Sequence, residues 1–162
     1  MGRGLAARLF CSALCLVSTT GLLHSETLGR YECAIIGNAA QEAVGDRAGH
    51  SLLTIQYTCV GVEGLLKDAV YTATNVTEVD GPKRTYLFGG GVHRVAGGAA
   101  VSQIVEGTGS VELKDGKPAG ATNTGKIAFK FASGTLAVLS GQTVNFIAKT
   151  TGVGRFVTEL TE

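Results

Sequence analysis

The stretch Ser51-Leu52-Leu53-Thr54-Ile55-Gln56-Tyr57-Thr58-Cys59-Val60 alternates. Leu53, Ile55, Tyr57 and Cys59 fall on one face, and Thr54, Gln56 and Thr58 on the other. A period of two sends successive side chains to opposite sides of an extended chain, so the stretch reads as a strand with one buried and one wet face. That pattern belongs to antiparallel sheets, because strands of a parallel sheet are covered on both faces and run continuously apolar. Three further runs repeat it. In 110–114, Val111 and Leu113 oppose Ser110, Glu112 and Lys114; in 126–131, Ile127, Phe129 and Phe131 oppose Lys126 and Lys130; in 155–161, Phe156 and Leu160 oppose Arg155, Glu159 and Thr161. Weaker alternation marks 31–36, 69–79, 85–95, 100–106 and 143–149. No apolar stripe at helical spacing runs beyond two turns, and no room is left for crossover helices. The expected fold is all-β, a single antiparallel barrel of about eight strands with an apolar interior.

Turn chemistry separates the runs. Asp115-Gly116 follows a strand directly and predicts a tight hairpin, since a type I′ turn needs positive φ at both central residues. Asp80-Gly81-Pro82 predicts a turn between the third and fourth runs, and Thr151-Gly152-Val153-Gly154 the last hairpin. Gly89-Gly90-Gly91 reads as a bulge or sharp bend, because His93-Arg94 supplies neither the Lys-Ser/Thr pair nor the helix start of a phosphate loop. Residues 38–50 form the longest polar connection, with one short turn of helix expected in it. In the irregular stretch 132–141, Leu136 and Leu139 are placed to cap one end of the barrel.

The amino-terminal stretch reads as an export leader. Arg3 and Arg8 precede a short apolar run from Leu9 to Val17, and a polar, small-residue region ends at Ser25. Charge, core and cleavage region in that order form a secretory signal, and the apolar run is too short to span a bilayer. The domain reading is therefore a signal peptide over 1–25, with the mature amino terminus expected between Leu22 and Glu26, and a β-barrel domain over 26–162, exported to a periplasmic or secreted location. Cys11 and Cys15 leave with the leader. Cys33 and Cys59 remain, an even pair that an oxidising compartment would join as a disulfide, with two buried thiols as the alternative. If the first two strands pair with Cys33 opposite Cys59, Ile35 falls opposite Tyr57.

Once Arg3 and Arg8 are gone, the 13 acidic residues of the chain slightly outnumber the bases. No basic block survives to bind nucleic acid or hold an anionic membrane surface. A membrane barrel would need aromatic girdles, and the chain has four Tyr, six Phe and no Trp.

Motifs for nucleophilic catalysis, metal ligation and cofactor binding are absent: there is no G-x-S-x-G, H-E-x-x-H or C-x-x-C. No cofactor is expected. The best candidate ligand site is the loop holding Asp46, Arg47 and His50, where a carboxylate beside an imidazole is an acid/base unit and a guanidinium can clamp an anion. The competing reading is a loop held by its own Asp–Arg pair. His93 reads as a polar residue at a sheet edge. Glu78 and Asp80, and Glu112 and Asp115, read as solubilising charges. Asn75-Val76-Thr77 is an N-glycosylation sequon, meaningful only in a eukaryotic secretory route.

Tyr31-Glu32-Cys33, Asp46-Arg47-Ala48-Gly49-His50, the stretch from Gly134 to Gly141, and Thr151-Gly152-Val153-Gly154-Arg155-Phe156 together carry a resemblance. The chain resembles small exported bacterial proteins of uncharacterised function whose barrel is similar to that of allene oxide cyclases and dirigent proteins. The resemblance implies a calycin-like or allene oxide cyclase-like barrel. No cyclase active-site residue maps onto this sequence, so that activity does not carry over. Two function classes follow: non-enzymatic binding of a small apolar ligand or protein partner, and a barrel enzyme of the cyclase or isomerase type. The shortage of ionisable residues on the inner faces favours the first; a cavity touching Arg47 or His50 would favour the second.

Overall fold

The computed structural model describes residues 27–162, and the leader expected over 1–25 lies outside them. The strands are β1 (Thr27–Ile35), β2 (Ala40–Ala43), β3 (His50–Gly64), β4 (Val70–Asp80), β5 (Lys83–Val95), β6 (Gly98–Lys114), β7 (Lys117–Gly134), β8 (Thr143–Gly152) and β9 (Arg155–Thr161), with a 3-10 turn over Ala137–Leu139. Each pairs antiparallel with its neighbour in the order β1-β9-β8-β7-β6-β5-β4-β3-β2, and β1 also pairs with β3. That last pairing closes a barrel of eight strands, with β2 as an extra strand on the edge of β3 beyond β1. Closure leaves the eight barrel strands with no open edge.

The expected cysteine register holds. Cys33 lies opposite Cys59 and Ile35 opposite Tyr57, and the two cysteines are joined as a disulfide with their Cα atoms 4.0 Å apart. Close approach of this kind is found at non-hydrogen-bonded antiparallel positions. Asp115 and Gly116 both take positive φ, 53° and 74°, between β6 and β7, as the hairpin signal requires. The turns at Gly81 and Val153-Gly154 join β4 to β5 and β8 to β9.

One end of the barrel is plugged. Leu66 from the β3–β4 turn, Leu136 and Leu139 are at most 1% exposed, and Leu28 packs beside them. Each such leucine contributes about 1.5–3 kcal/mol through burial, and main-chain hydrogen bonds such as Leu65 N–H to the Leu28 carbonyl tie the segments that carry them.

Four local readings need correction. The runs 100–106 and 110–114 belong to one strand, β6, in which Gly107-Thr108-Gly109 is no break. Gly107 and Gly109 face inward, and the space a Cβ would take is occupied by the Tyr86 ring and the Asn123 amide. Phe131 is 71% exposed instead of buried. Val101 pairs with Phe131 and Ser102 with Phe129, so Lys130 is an extra residue that flips Phe131 to the outer wall. The 38–50 connection contains the strand β2 and no helical turn. All four β2 residues are exposed, and the strand is held by its ladder to β3 and by Gln41 Nε2 donating to Ser51 Oγ at 2.8 Å. His93, finally, is fully buried.

Candidate functional site

Opposite the leucine plug the interior is not filled. A cavity of about 600 Å³ runs from His93 toward the rim formed by the 151–155 turn and the start of β7. The ladder explains the space. Gly89, Gly91, Gly107, Gly109 and Gly125 occupy inner positions of β5, β6 and β7, where other strands carry side chains. Neighbours fill only part of the vacancy: Asn75 leans over Gly89, Tyr86 over Gly107, Asn123 over Gly109 and Phe146 over Gly125. The walls are mostly aromatic and aliphatic, with Tyr57, Tyr86, Phe146, Phe156, Ile104 and Ile127 among them. An apolar cavity of this size with a few polar groups is the usual form of a small-molecule site.

A buried polar chain sits at the inner end. Tyr31 Oη is 2.7 Å from His93 Nδ1, and His93 Nε2 is 2.8 Å from Ser102 Oγ. Ser102 Oγ donates onward to Tyr71 Oη at 3.4 Å. With the serine proton committed to Tyr71, His93 donates through Nε2 and accepts from the Tyr31 hydroxyl at Nδ1. Burial pushes the imidazole pKa down to about 3, so it is neutral and of one tautomer. The Tyr71 ring stacks on the imidazole, centroids 3.9 Å apart and planes within 8°. Beside it Asn75 Nδ2 donates to Tyr57 Oη at 3.2 Å. Burial raises the phenol pKa of Tyr31, Tyr57 and Tyr71, and carries Tyr86 to about 12. Every phenol is a neutral hydroxyl at physiological pH. Asn75, 4% exposed beneath the aromatic wall, has no room for a glycan in the folded barrel.

Two cavity-wall atoms are orphaned. Arg84 Nε and Asn123 Oδ1 are buried and hydrogen-bond to nothing. They flank Gly109, which pairs with Arg84 on one side and Asn123 on the other. A buried unpaired group costs about 1–3 kcal/mol, so these two neighbouring atoms are an unmet donor and an unmet acceptor on the cavity wall.

Asp46, Arg47 and His50 are brought together, but outside the barrel. His50 sits on the outer face of β3, where Nδ1 meets Asp46 Oδ1 and Nε2 lies 2.9 Å from Glu78 Oε1. Arg47 reaches Asp46 at 2.7 Å and Asp80 at 2.8 Å. Glu78 and Asp80 therefore act as partners of the loop rather than as free solubilising charges. The hydrogen bond to Asp46 raises the His50 pKa, helped by Glu78, and the same bond lowers that of Asp46. Arg47 likewise holds Asp80 low. None of the three loop residues lines the cavity.

Compared with protein-family models, with curated proteins and with solved structures, the chain has no match. The closed eight-stranded antiparallel barrel is thus established by its own ladder alone, and no matching family or structure supports the resemblance to allene oxide cyclases and dirigent proteins.

Sequence reasoning missed Tyr31, Arg84, Tyr86, His93, Ser102 and Asn123 as a group. The available signal was the set of inward glycines on three consecutive strands, which leaves neighbouring long side chains nowhere to go but the interior.

Proposed function

We propose that this protein is an exported, non-enzymatic barrel that holds a small, largely apolar ligand in its open half. The observation that carries the reading is the cavity of about 600 Å³, closed at one end by leucines and walled by aromatic rings. The Cys33–Cys59 disulfide agrees with an oxidising compartment. Binding is favoured over catalysis because Arg47 and His50 lie off the cavity, and because the imidazole at its inner end is neutral with both nitrogens engaged. A general base needs a free lone pair within reach of the substrate proton, and His93 has none to offer. A cyclase- or isomerase-type enzyme remains the second reading, supported only by the wall hydroxyls of Tyr57 and Tyr86.

The test is mass spectrometry of small molecules released on denaturing protein purified from its native compartment. A stoichiometric ligand is expected, and it should be lost in Ala148→Phe, which fills the cavity from β8. An empty protein, or one whose ligand survives that substitution, contradicts the reading.

A further inference from the structure

Resting on the reading of the cavity as a ligand site, we infer that the ligand is an amphipathic organic anion: Arg84 takes its acidic head, Asn123 accepts an N–H or O–H beside that head, and the aromatic walls hold a ringed apolar body.

The charges of the cavity point this way. Its walls include two arginines, Arg84 and Arg155, and no carboxylate. Of the other described arginines, Arg30 pairs with Glu63, Arg47 pairs with Asp46 and Asp80, Arg94 donates to Thr72 Oγ1, and Arg155 is exposed to solvent at the rim. Arg84 has no ion pair and no hydrogen bond, and its Nε is sealed from solvent. A half-buried guanidinium without a counter-charge is unfavourable unless an anion visits it, and its planar fork suits a carboxylate or sulfonate. It sits on the inner face of β5 near the rim, opposite Gly109, whose missing side chain opens the way to Asn123. Asn123 Oδ1 is the complementary group, an acceptor where Arg84 is a donor. Deeper in, Tyr57, Tyr86, Phe146 and Phe156 offer ring faces and edges. Aromatic pairs prefer offset and edge-to-face contacts, which a ringed body can make on several sides at once.

The polarity of the arrangement follows. The head lies toward the mouth and the apolar body toward the Tyr71–His93 stack. Positive charge at the rim also steers anions to a chain whose overall charge is close to neutral.

Two fluorescent probes separate the head from the body. 8-Anilinonaphthalene-1-sulfonate carries a sulfonate beside an N–H on a ringed apolar frame; N-phenyl-1-naphthylamine is the same frame without the anion. The sulfonate should bind the intact protein about tenfold more tightly than the neutral probe, the scale of one charge-assisted contact. Arg84→Gln should erase that difference and leave neutral-probe affinity within about twofold. Arg84→Lys should restore part of it, and added salt should weaken only the sulfonate. Phe131→Ser, on the outer wall, should change neither probe. Equal binding of both probes, or a sulfonate affinity indifferent to Arg84→Gln, overturns the anion inference and leaves the cavity reading standing. Binding of neither probe overturns both. Loss of sulfonate binding in Phe131→Ser places the probe outside the barrel and also overturns the inference. Should Arg84→Gln fail to fold, Arg84→Lys and the salt dependence of the intact protein decide the matter by the same signs.

Discussion

The hydroxyl of Tyr31 on β1 meets Nδ1 of His93 on β5 at 2.7 Å, across the inside of the barrel. The two residues stand 62 positions apart in sequence, on strands that share no ladder. Their contact joins the strand that closes the barrel to the first of the three strands, β5, β6 and β7, that carry the inward glycines. It also fixes the imidazole against Tyr71 and Ser102, and so forms the inner end of the cavity.

Tyr31→Phe should therefore be costly although it removes one oxygen. His93 Nδ1 would be left buried and unpaired, a loss of about 1–3 kcal/mol. Urea denaturation should show a lowered midpoint with an unchanged slope. A change within about 0.5 kcal/mol, the range of an ordinary surface substitution, would mean that the hydrogen bond has no energetic role.

The disulfide closes a separation of 26 residues between neighbouring strands at the seam of the barrel. The double substitution Cys33→Ala with Cys59→Ala should destabilise by about 2–4 kcal/mol. Thiol-specific labelling of unreduced protein, followed by peptide mapping, should find neither cysteine modified. Labelling at both positions would show free thiols and contradict the pairing.

Glycines inside the wall are not equivalent. A Cβ at Gly91 would lie 2.0 Å from the Thr72 carbonyl oxygen, whereas one at Gly120 meets nothing nearer than Glu112 Oε2 at 3.6 Å. Gly91→Ala must push two strands apart and should cost several times as much as Gly120→Ala, which should stay within about 0.5 kcal/mol of the parent. Thermal denaturation of the pair checks this, and equal melting temperatures would refute it.

How much of this the sequence revealed depends on local regularity. Leu53, Ile55, Tyr57 and Cys59 alternate without interruption, and their strand, face and register were all readable, down to Ile35 opposite Tyr57. Arg84 and Tyr86 were not. Strict alternation from His93 back through Gly91 and Gly89 would place Arg84 on the wet face. An irregularity between Phe88 and Tyr86 shifts the register by one and turns both side chains inward. The same physics hid Phe131, thrown outward by an extra residue. A bulge leaves no compositional mark, so the residues of the candidate site were obscured by the distortions that bring them to it. The strand β2 was missed for another reason: Ala40 to Ala43 bury nothing, and main-chain bonding alone carries no hydrophobic period.

The cluster on the outer face permits a sharp comparison with the cavity. Arg47→Ala removes a half-exposed ion-pair partner and His50→Ala a largely covered one, and neither residue lines the cavity. Each variant, and the two together, should bind the neutral naphthylamine probe as the parent does. The loop should nonetheless become more sensitive to limited proteolysis, because its ties to Glu78 and Asp80 are gone. A fall in probe affinity with unchanged proteolysis would instead make the loop a binding element.

The two histidines of the barrel should answer pH in opposite directions. His93 has a folded pKa near 3, against an ordinary value of 6.5, so the unfolded chain binds a proton that the folded chain refuses. Its effect is fully stabilising above pH 6.5 and is lost as pH falls below it, at up to about 1.4 kcal/mol per pH unit. His50 is displaced upward by Asp46 and Glu78. Its contribution is complete below pH 6.5 and disappears as pH rises through the higher folded value. Between pH 6.5 and about 4.5, above the ordinary carboxylate range, the falling limb therefore belongs to His93. Denaturation at half-unit steps should show that limb in the parent and in His50→Gln, and a nearly flat response in His93→Gln. Proton NMR gives the site-by-site version: the His50 ring signal should titrate above 6.5, while that of His93 stays fixed from pH 8 to pH 5. A His93 signal titrating near 6.5 would mean that the imidazole is hydrated, and would remove the basis for a neutral, single-tautomer His93 at the inner end of the cavity.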